Sequence, residues 1–256
     1  MISTQSARIR YLSPPAPVSM ADEWFGIAGL DHFWCQRRFE VLRRMADGIL
    51  QSAGHLAEAG CGSGIVQRQI EDAFQKQITG FDLNENALSQ NLSRTSDVCC
   101  YDAFQKNAEY EGYFEGIVLF DVLEHLEDED RFLEAVQFHL ARNGKLLVNV
   151  PAFEYLFSRY DEAAGHFRRY DIGSFTKVME RNGMAITGWT YWGMPLTPLL
   201  VLRKYWLRKH AKEDIIASGM DSRGSVMNRL LLGLSRLEPI PQHFMGTSLM
   251  AIVERR

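Results

Sequence analysis

Between His55 and Phe74 the sequence leaves few folds open. A short apolar run, His55 to Ala59, passes straight into Gly60-Cys61-Gly62-Ser63-Gly64, and a helix-like segment continues from Ile65 to Phe74. Strand, glycine turn and helix together begin a βαβ unit. Glycines at alternate positions accept left-handed backbone and carry no side chain. Backbone N–H groups and a helix N-terminus are thereby exposed at the carboxyl edge of a sheet, where a nucleotide-like ligand can approach. The spacing separates candidate ligands. A dinucleotide fingerprint, G-x-G-x-x-G/A, needs a small residue three places after Gly62, and Ile65 stands there; an NAD-dependent oxidoreductase is disfavoured.

The rest of the chain continues the alternation. Ile78 to Leu83 reads as a second strand ending at Asp82, and Val98 to Tyr101 as a third ending at Asp102. Glu115 to Phe120 has the continuous apolar character of a fully buried parallel strand. Asp128 to Leu140 is an amphipathic helix, after which Asn143-Gly144 turns into the strand Lys145 to Val150, stopped by Pro151. A helix from about Ile172 to Arg181, a strand from Ala185 to Tyr191 and a last strand from Thr247 to Val253 follow. This pitch predicts a doubly wound, mostly parallel α/β sheet. Glu23 to Leu50 reads as a helical cover, with Trp24, Phe25, Phe33 and Trp34 in front. Residues 1–22, broken by Pro14, Pro15 and Pro17, read as a flexible lead-in; 23–194 as the core; 195–246 as a helical lid or interfacial insertion; 247–256 as the final core strand.

With 256 residues, 46% of them hydrophobic, the chain can bury a substantial interior without staples. Its net charge of -4 lacks the footprint of a nucleic-acid binder, so no nucleic-acid partner is expected. Cys35, Cys61, Cys99 and Cys100 form no CxxC pair, which argues against a zinc ribbon or a secreted disulfide framework and implies a reducing cytoplasm. The N-terminus has no apolar signal core, and no run approaches the ~20 apolar residues of a membrane span.

Glu58 to Gly64, E-x-G-x-G-x-G, resembles motif I of the class I methyltransferases, whose glycine loop holds the amino-acid end of S-adenosylmethionine. Asp82 lies eighteen residues past Gly64, where an acidic side chain can accept bonds from both ribose hydroxyls. Asp102-Ala103-Phe104 stands where such enzymes recognise adenine, and Phe120-Asp121-Val122-Leu123-Glu124-His125 ends the fourth strand like the family's VLEH segment. Any one of these also describes an ordinary turn or cap; their order along the chain points to the family. HFWCQRRFEVL, residues 32–42, and PAFEYLFSRYDEAAGHFRRY, residues 151–170, resemble segments of bacterial members often associated with cell-surface glycan and lipid biosynthesis. The resemblance implies a seven-stranded sheet with Thr247 to Val253 inserted antiparallel. It also implies S-adenosylmethionine as cofactor, bound by Trp34, Arg38, Glu58, Gly60, Cys61, Gly62, Gly64, Asp82, Leu83, Asp102, Ala103, Phe104 and Phe120.

Methyl transfer is an in-line displacement at a sulfonium carbon, so the site must align a nucleophile and, for a hydroxyl or amine, take its proton. His125 and His166 are candidate bases, with Asp161 able to orient an imidazole or act directly. Arg168, Arg169 and Tyr170 are donors suited to a carboxylate, phosphate or sugar hydroxyl of a small-molecule acceptor; Arg168 and Arg169 equally suit pairing with Asp161, Glu162 or Asp171. Asp121, Glu124, His125 and His166 also resemble the ligand set of a metal-dependent minority of the family. A non-catalytic S-adenosylmethionine-binding protein is the other alternative, disfavoured by the retained polar candidates. Leu199 to Lys212, with Arg203, Lys204, Arg208, Lys209 and Lys212, reads as a lid helix or as a peripheral contact with anionic membrane.

Overall fold

We describe residues 9–18, 28–207 and 225–256 of a computed structural model. Trp24, Phe25, Arg208, Lys209 and Lys212 lie outside the described residues.

The strands are β1 (Ile9–Tyr11), β2 (Leu56–Ala59), β3 (Thr79–Asp82), β4 (Val98–Cys100), β5 (Phe114–Phe120), β6 (Leu140–Pro151), β7 (Met184–Trp192) and β8 (Ser248–Arg255). They form one sheet in the order β1-β4-β3-β2-β5-β6-β8-β7. β8 is antiparallel to both neighbours, β6 and β7, and every other adjacent pair is parallel. The helices are α1 (Phe33–Ser52), α2 (Ile65–Phe74), α3 (Glu85–Ser89), α4 (Glu129–His139), α5 (Arg159–Ala164), α6 (Ile172–Arg181), α7 (Thr197–Leu207) and α8 (Ser225–Ser235).

Strand alternation divides the apolar residues between two cores. Ile117 and Leu119 of β5, with Leu146, Val148 and Val150 of β6, pack with Phe132, Leu133 and Val136 of α4 and Phe175, Val178 and Met179 of α6. On the other face, Val118, Phe120 and Leu147 meet Val41, Leu42, Ala46 and Leu50 of α1 and Val66 and Ile70 of α2. A strand covered on both sides reads as an unbroken apolar run, and β5 does from Gly116 to Phe120.

Two expectations need correction. Among the described residues the sheet has eight strands, not seven, because Ile9–Tyr11 pairs in parallel with Val98–Cys100; the segment read as a flexible lead-in therefore contains an edge strand. The Asn143-Gly144 turn is not a separate connection either. Extended backbone begins at Leu140, and the register passes from Phe114↔Leu140 to Gly116↔Lys145, so residues 141–144 bulge from the ladder opposite Glu115.

Candidate functional site

The carboxyl ends of β2, β3, β4 and β5 surround a cavity of about 520 Å³. β2 delivers the glycine loop, whose Gly60, Gly62 and Gly64 all have positive φ, at 79°, 50° and 72°. Gly60 and Cys61 donate their N–H groups to Phe81 O at 2.8 and 3.0 Å. A Cβ on Gly60 would lie 2.6 Å from Val122 Cγ2, so this turn requires glycine on conformational and steric grounds.

Asp82, at the end of β3, accepts Gly62 N–H at Oδ2 and Asn84 N–H at Oδ1, both at 2.8 Å. Each carboxylate oxygen has capacity for a second bond, and Asp82 faces the cavity. Asp102, after β4, caps the next turn by accepting Phe104 N–H at 3.0 Å. Leu83, Ala103, Phe104 and Phe120 add apolar wall. Of the thirteen residues expected around the cofactor, Gly64 alone does not line the cavity; it stands at the N-terminus of α2 in left-handed conformation.

Glu58 is 3% exposed, and its Oε2 has no hydrogen-bond partner. Burial pushes its carboxyl up to about 8, against the pull of Arg38 and aided by Asp82. An unfolded chain ionises glutamate near roughly 4.3, so the folded protein keeps a proton that the unfolded chain has lost. The associated stability is fully present below about pH 4.3 and declines as pH rises through about 8. Denaturant unfolding of the ligand-free protein between about pH 5 and about pH 8 is therefore expected to fall less steeply with pH in Glu58→Gln than in wild type. Equal slopes would mean that Glu58 ionises normally.

A polar chain braces the wall beside it. Arg38 donates to Asp121 at 2.5 Å, Asn149 donates to the other Asp121 oxygen at 2.7 Å, and Trp192 Nε1 donates to Asn149 at 2.8 Å. The Trp34 ring lies 4.4 Å from that of Trp192. Asp121 holds a left-handed φ of 57°, a strain of roughly 1–3 kcal/mol that persists where surroundings over-determine it. Its oxygens serve Arg38 and Asn149, and it does not join the metal-ligand set. Glu124, His125 and His166 do come together, offering one ligand atom each within 4.8 Å of one another.

His166 lines the cavity, and its Nδ1 is 3.1 Å from Asp161 Oδ1. Asp161 is fully buried and also accepts from Ser158 N and Oγ and from Arg169 Nε and Nη2. Burial alone would raise its carboxyl, but His166 and Arg169 outweigh that and hold it well below the carboxylate range. The His125 and His166 rings stand perpendicular, 4.7 Å apart. Burial, then His166, brings His125 down to about 3, so it stays neutral. Glu124 is fully buried with no hydrogen bond to either carboxylate oxygen; burial, then Asp121, pushes it well above its ordinary value.

The structure does not bring Arg168 or Tyr170 to the cavity. Tyr170 pairs in parallel with Ala152 as a short extension of the sheet, and extended backbone sends successive side chains to opposite faces. Arg169 faces the cavity and meets Asp161. Tyr170 turns to Glu129 beneath the sheet, and Arg168 joins it there at 3.2 Å from Glu129 and 3.0 Å from Glu127 O. Arg168 thus pairs with Glu129 instead of the acids named from sequence. Sequence reasoning missed Pro17, Val18, Tyr160, Thr247 and Ser248, which all line the cavity; Tyr160 lies within the 151–170 segment at a position its pattern leaves open, and the others stand in no motif.

A family model described as "Methyltransferase domain" matches residues 30–187. The chain is 30% identical over 126 residues to a "Probable S-adenosylmethionine-dependent methyltransferase" of Mycobacterium tuberculosis; the match covers 48% of this chain and 44% of that protein, so it spans less than half the relative's length. Among solved structures, an S-adenosylmethionine-dependent methyltransferase from Mesorhizobium loti superposes with a TM-score of 0.55 at 15% identity, over 89% of this chain and 100% of that one. The [4+2]-cyclase SpnF superposes with a TM-score of 0.57 at 17% identity, over 86% and 80%. These structural likenesses concern the fold, and one fold hosts more than one chemistry.

Proposed function

The chain belongs to the methyltransferase domain family, and from that premise we propose that it transfers a methyl group from S-adenosylmethionine to an oxygen or nitrogen of a small molecule or of a lipid- or sugar-linked intermediate. The observation that carries this reading is the Asp82 carboxylate, fixed by Gly62 N–H at the cavity wall, where it would accept ribose hydroxyls. Glu58 and Arg38 would take the charged amino-acid end, the glycine loop would supply N–H groups, and Ala103 and Phe104 would bound the adenine. The cofactor fits the orphaned Glu58 oxygen, since an ammonium group would satisfy it. When bound, S-adenosylmethionine supplies a methyl group on an already activated sulfonium.

The chain's own residues then position an acceptor and receive its proton. Asp161 orients His166 through Nδ1, leaving Nε2 as the acceptor nitrogen. Neutral His125 and raised Glu124 make the floor around it weakly polar. This oriented pair speaks against a binding protein without catalysis.

A second reading rests on the Glu124, His125 and His166 cluster, which as two imidazoles and a carboxylate would suit a divalent cation and orient the acceptor through it. One experiment serves both readings. Protein incubated with methyl-labelled S-adenosylmethionine and a small-molecule extract is expected to yield a labelled small molecule, with or without chelator. Loss of label on chelation, restored by added cation, favours the second reading, and no labelled product under any condition contradicts both.

Of the segment 195–246, we read the described residues, 195–207 and 225–246, as a lid. Leu200 and Arg203 of α7 line the cavity, and Arg203 lies 4.1 Å over the Tyr160 ring. Leu199, Leu202, Tyr205 and Trp206 are exposed on the same helix. No helix among the described residues is long and apolar enough to cross a membrane. Sedimentation with anionic vesicles is expected to show no binding at any salt; binding that weakens as salt rises would replace the lid with a membrane contact.

A further inference from the structure

We infer that residues 9–18 form a wall of the nucleoside end of the cofactor site, a strap fastened across the ends of β3 and β4. The inference rests on the cofactor reading above and adds to it residues that no motif indicated.

The fastening begins at the sheet edge. β1 adds three residues beside β4, and outside it Arg10 makes a two-pronged pair with Glu109 at 2.9 and 2.7 Å while Tyr11 donates to Glu85 at 2.6 Å. Beyond β1 the chain turns inward over the cavity rim. Leu12 and Ser13 donate to Cys100 O at 2.9 and 3.1 Å. Ser13, 6% exposed, then works in both directions. Its hydroxyl accepts Asp102 N–H at 3.0 Å and donates to Gln105 at 3.0 Å. Ala16 N–H reaches Leu83 O at 3.2 Å, and Pro17 and Val18 close on the cavity.

The strap is thus tied to Asp102, which stands where adenine recognition is expected, and to Leu83, which follows the ribose-binding candidate Asp82. Pro14, Pro15 and Pro17 suit this course. Each removes a backbone donor, so an extended segment can cross the rim with fewer N–H groups in need of partners. Pro17 and Val18 then offer apolar surface to a ligand face, as a nucleoside pocket requires.

The test is calorimetric binding of S-adenosylhomocysteine and of methylthioadenosine, which lacks the amino-acid end, to full-length wild type, Ser13→Ala and the double variant Pro17→Gly, Val18→Gly. The double variant is expected to weaken both ligands by the same factor, about tenfold, as when two apolar side chains leave a ligand; Ser13→Ala is expected to weaken both by less. Amide hydrogen exchange of wild type should slow within residues 12–18 when S-adenosylhomocysteine binds. Wild-type affinity in all variants, or exchange in 12–18 unchanged by the ligand, would overturn the strap. Absence of binding by wild type would instead overturn the cofactor reading itself.

Discussion

Replacing Asp82 with alanine is expected to weaken S-adenosylhomocysteine binding by roughly ten- to a hundredfold. A charged acceptor for two hydroxyls contributes about 1.5–3 kcal/mol, and every 1.4 kcal/mol is about tenfold. The structure adds a second route to the loss, because the same carboxylate holds Gly62 N–H and with it the middle of the glycine loop. Asp82→Asn separates the two, since its amide oxygen can keep the loop bond while losing the charge; it is expected to fall between wild type and alanine. Calorimetric affinity equal to wild type in Asp82→Ala would remove this residue from the site.

His166→Ala is expected to lower kcat by roughly a hundred- to ten-thousandfold, the range for loss of a positioned general base, with S-adenosylhomocysteine affinity nearly unchanged. Arg168→Ala gives the contrast. Its guanidinium meets Glu129 and the Glu127 carbonyl away from the cavity, so it is expected to cost some stability and little turnover per folded molecule. Single-turnover rates with any acceptor that wild type methylates, measured beside thermal unfolding, distinguish the two. A His166→Ala enzyme that turns over normally would take the imidazole out of the mechanism, and an Arg168→Ala enzyme that is folded but inactive would return Arg168 to it.

These two residues show how far the sequence could be read. His166, Arg168 and Tyr170 stand in one motif and look equally functional as letters. Their separation depends on a single parallel bridge between Ala152 and Tyr170, a long-range pairing that no local pattern announces. The glycine loop was legible because its requirement is local: positive φ and a close approach are properties of the residue type. Asp82 and Asp102 were legible because strand ends follow from apolar runs. β1 was not, since Ile9-Arg10-Tyr11 is too short to show alternation and owes its conformation to the open edge of β4. Asp121 was legible as a polar strand end but not as the partner of Arg38 and Asn149, which come from an early helix and a later strand.

The most direct test of the central claim is a thermal-shift comparison of S-adenosylhomocysteine with NAD. A ligand that binds only the folded state stabilises it by about 2.7 kcal/mol at a hundredfold excess over Kd, which for a domain near this size raises Tm by roughly 5–10 °C. S-adenosylhomocysteine is predicted to give that rise and NAD none. A rise with NAD and none with S-adenosylhomocysteine would contradict the account.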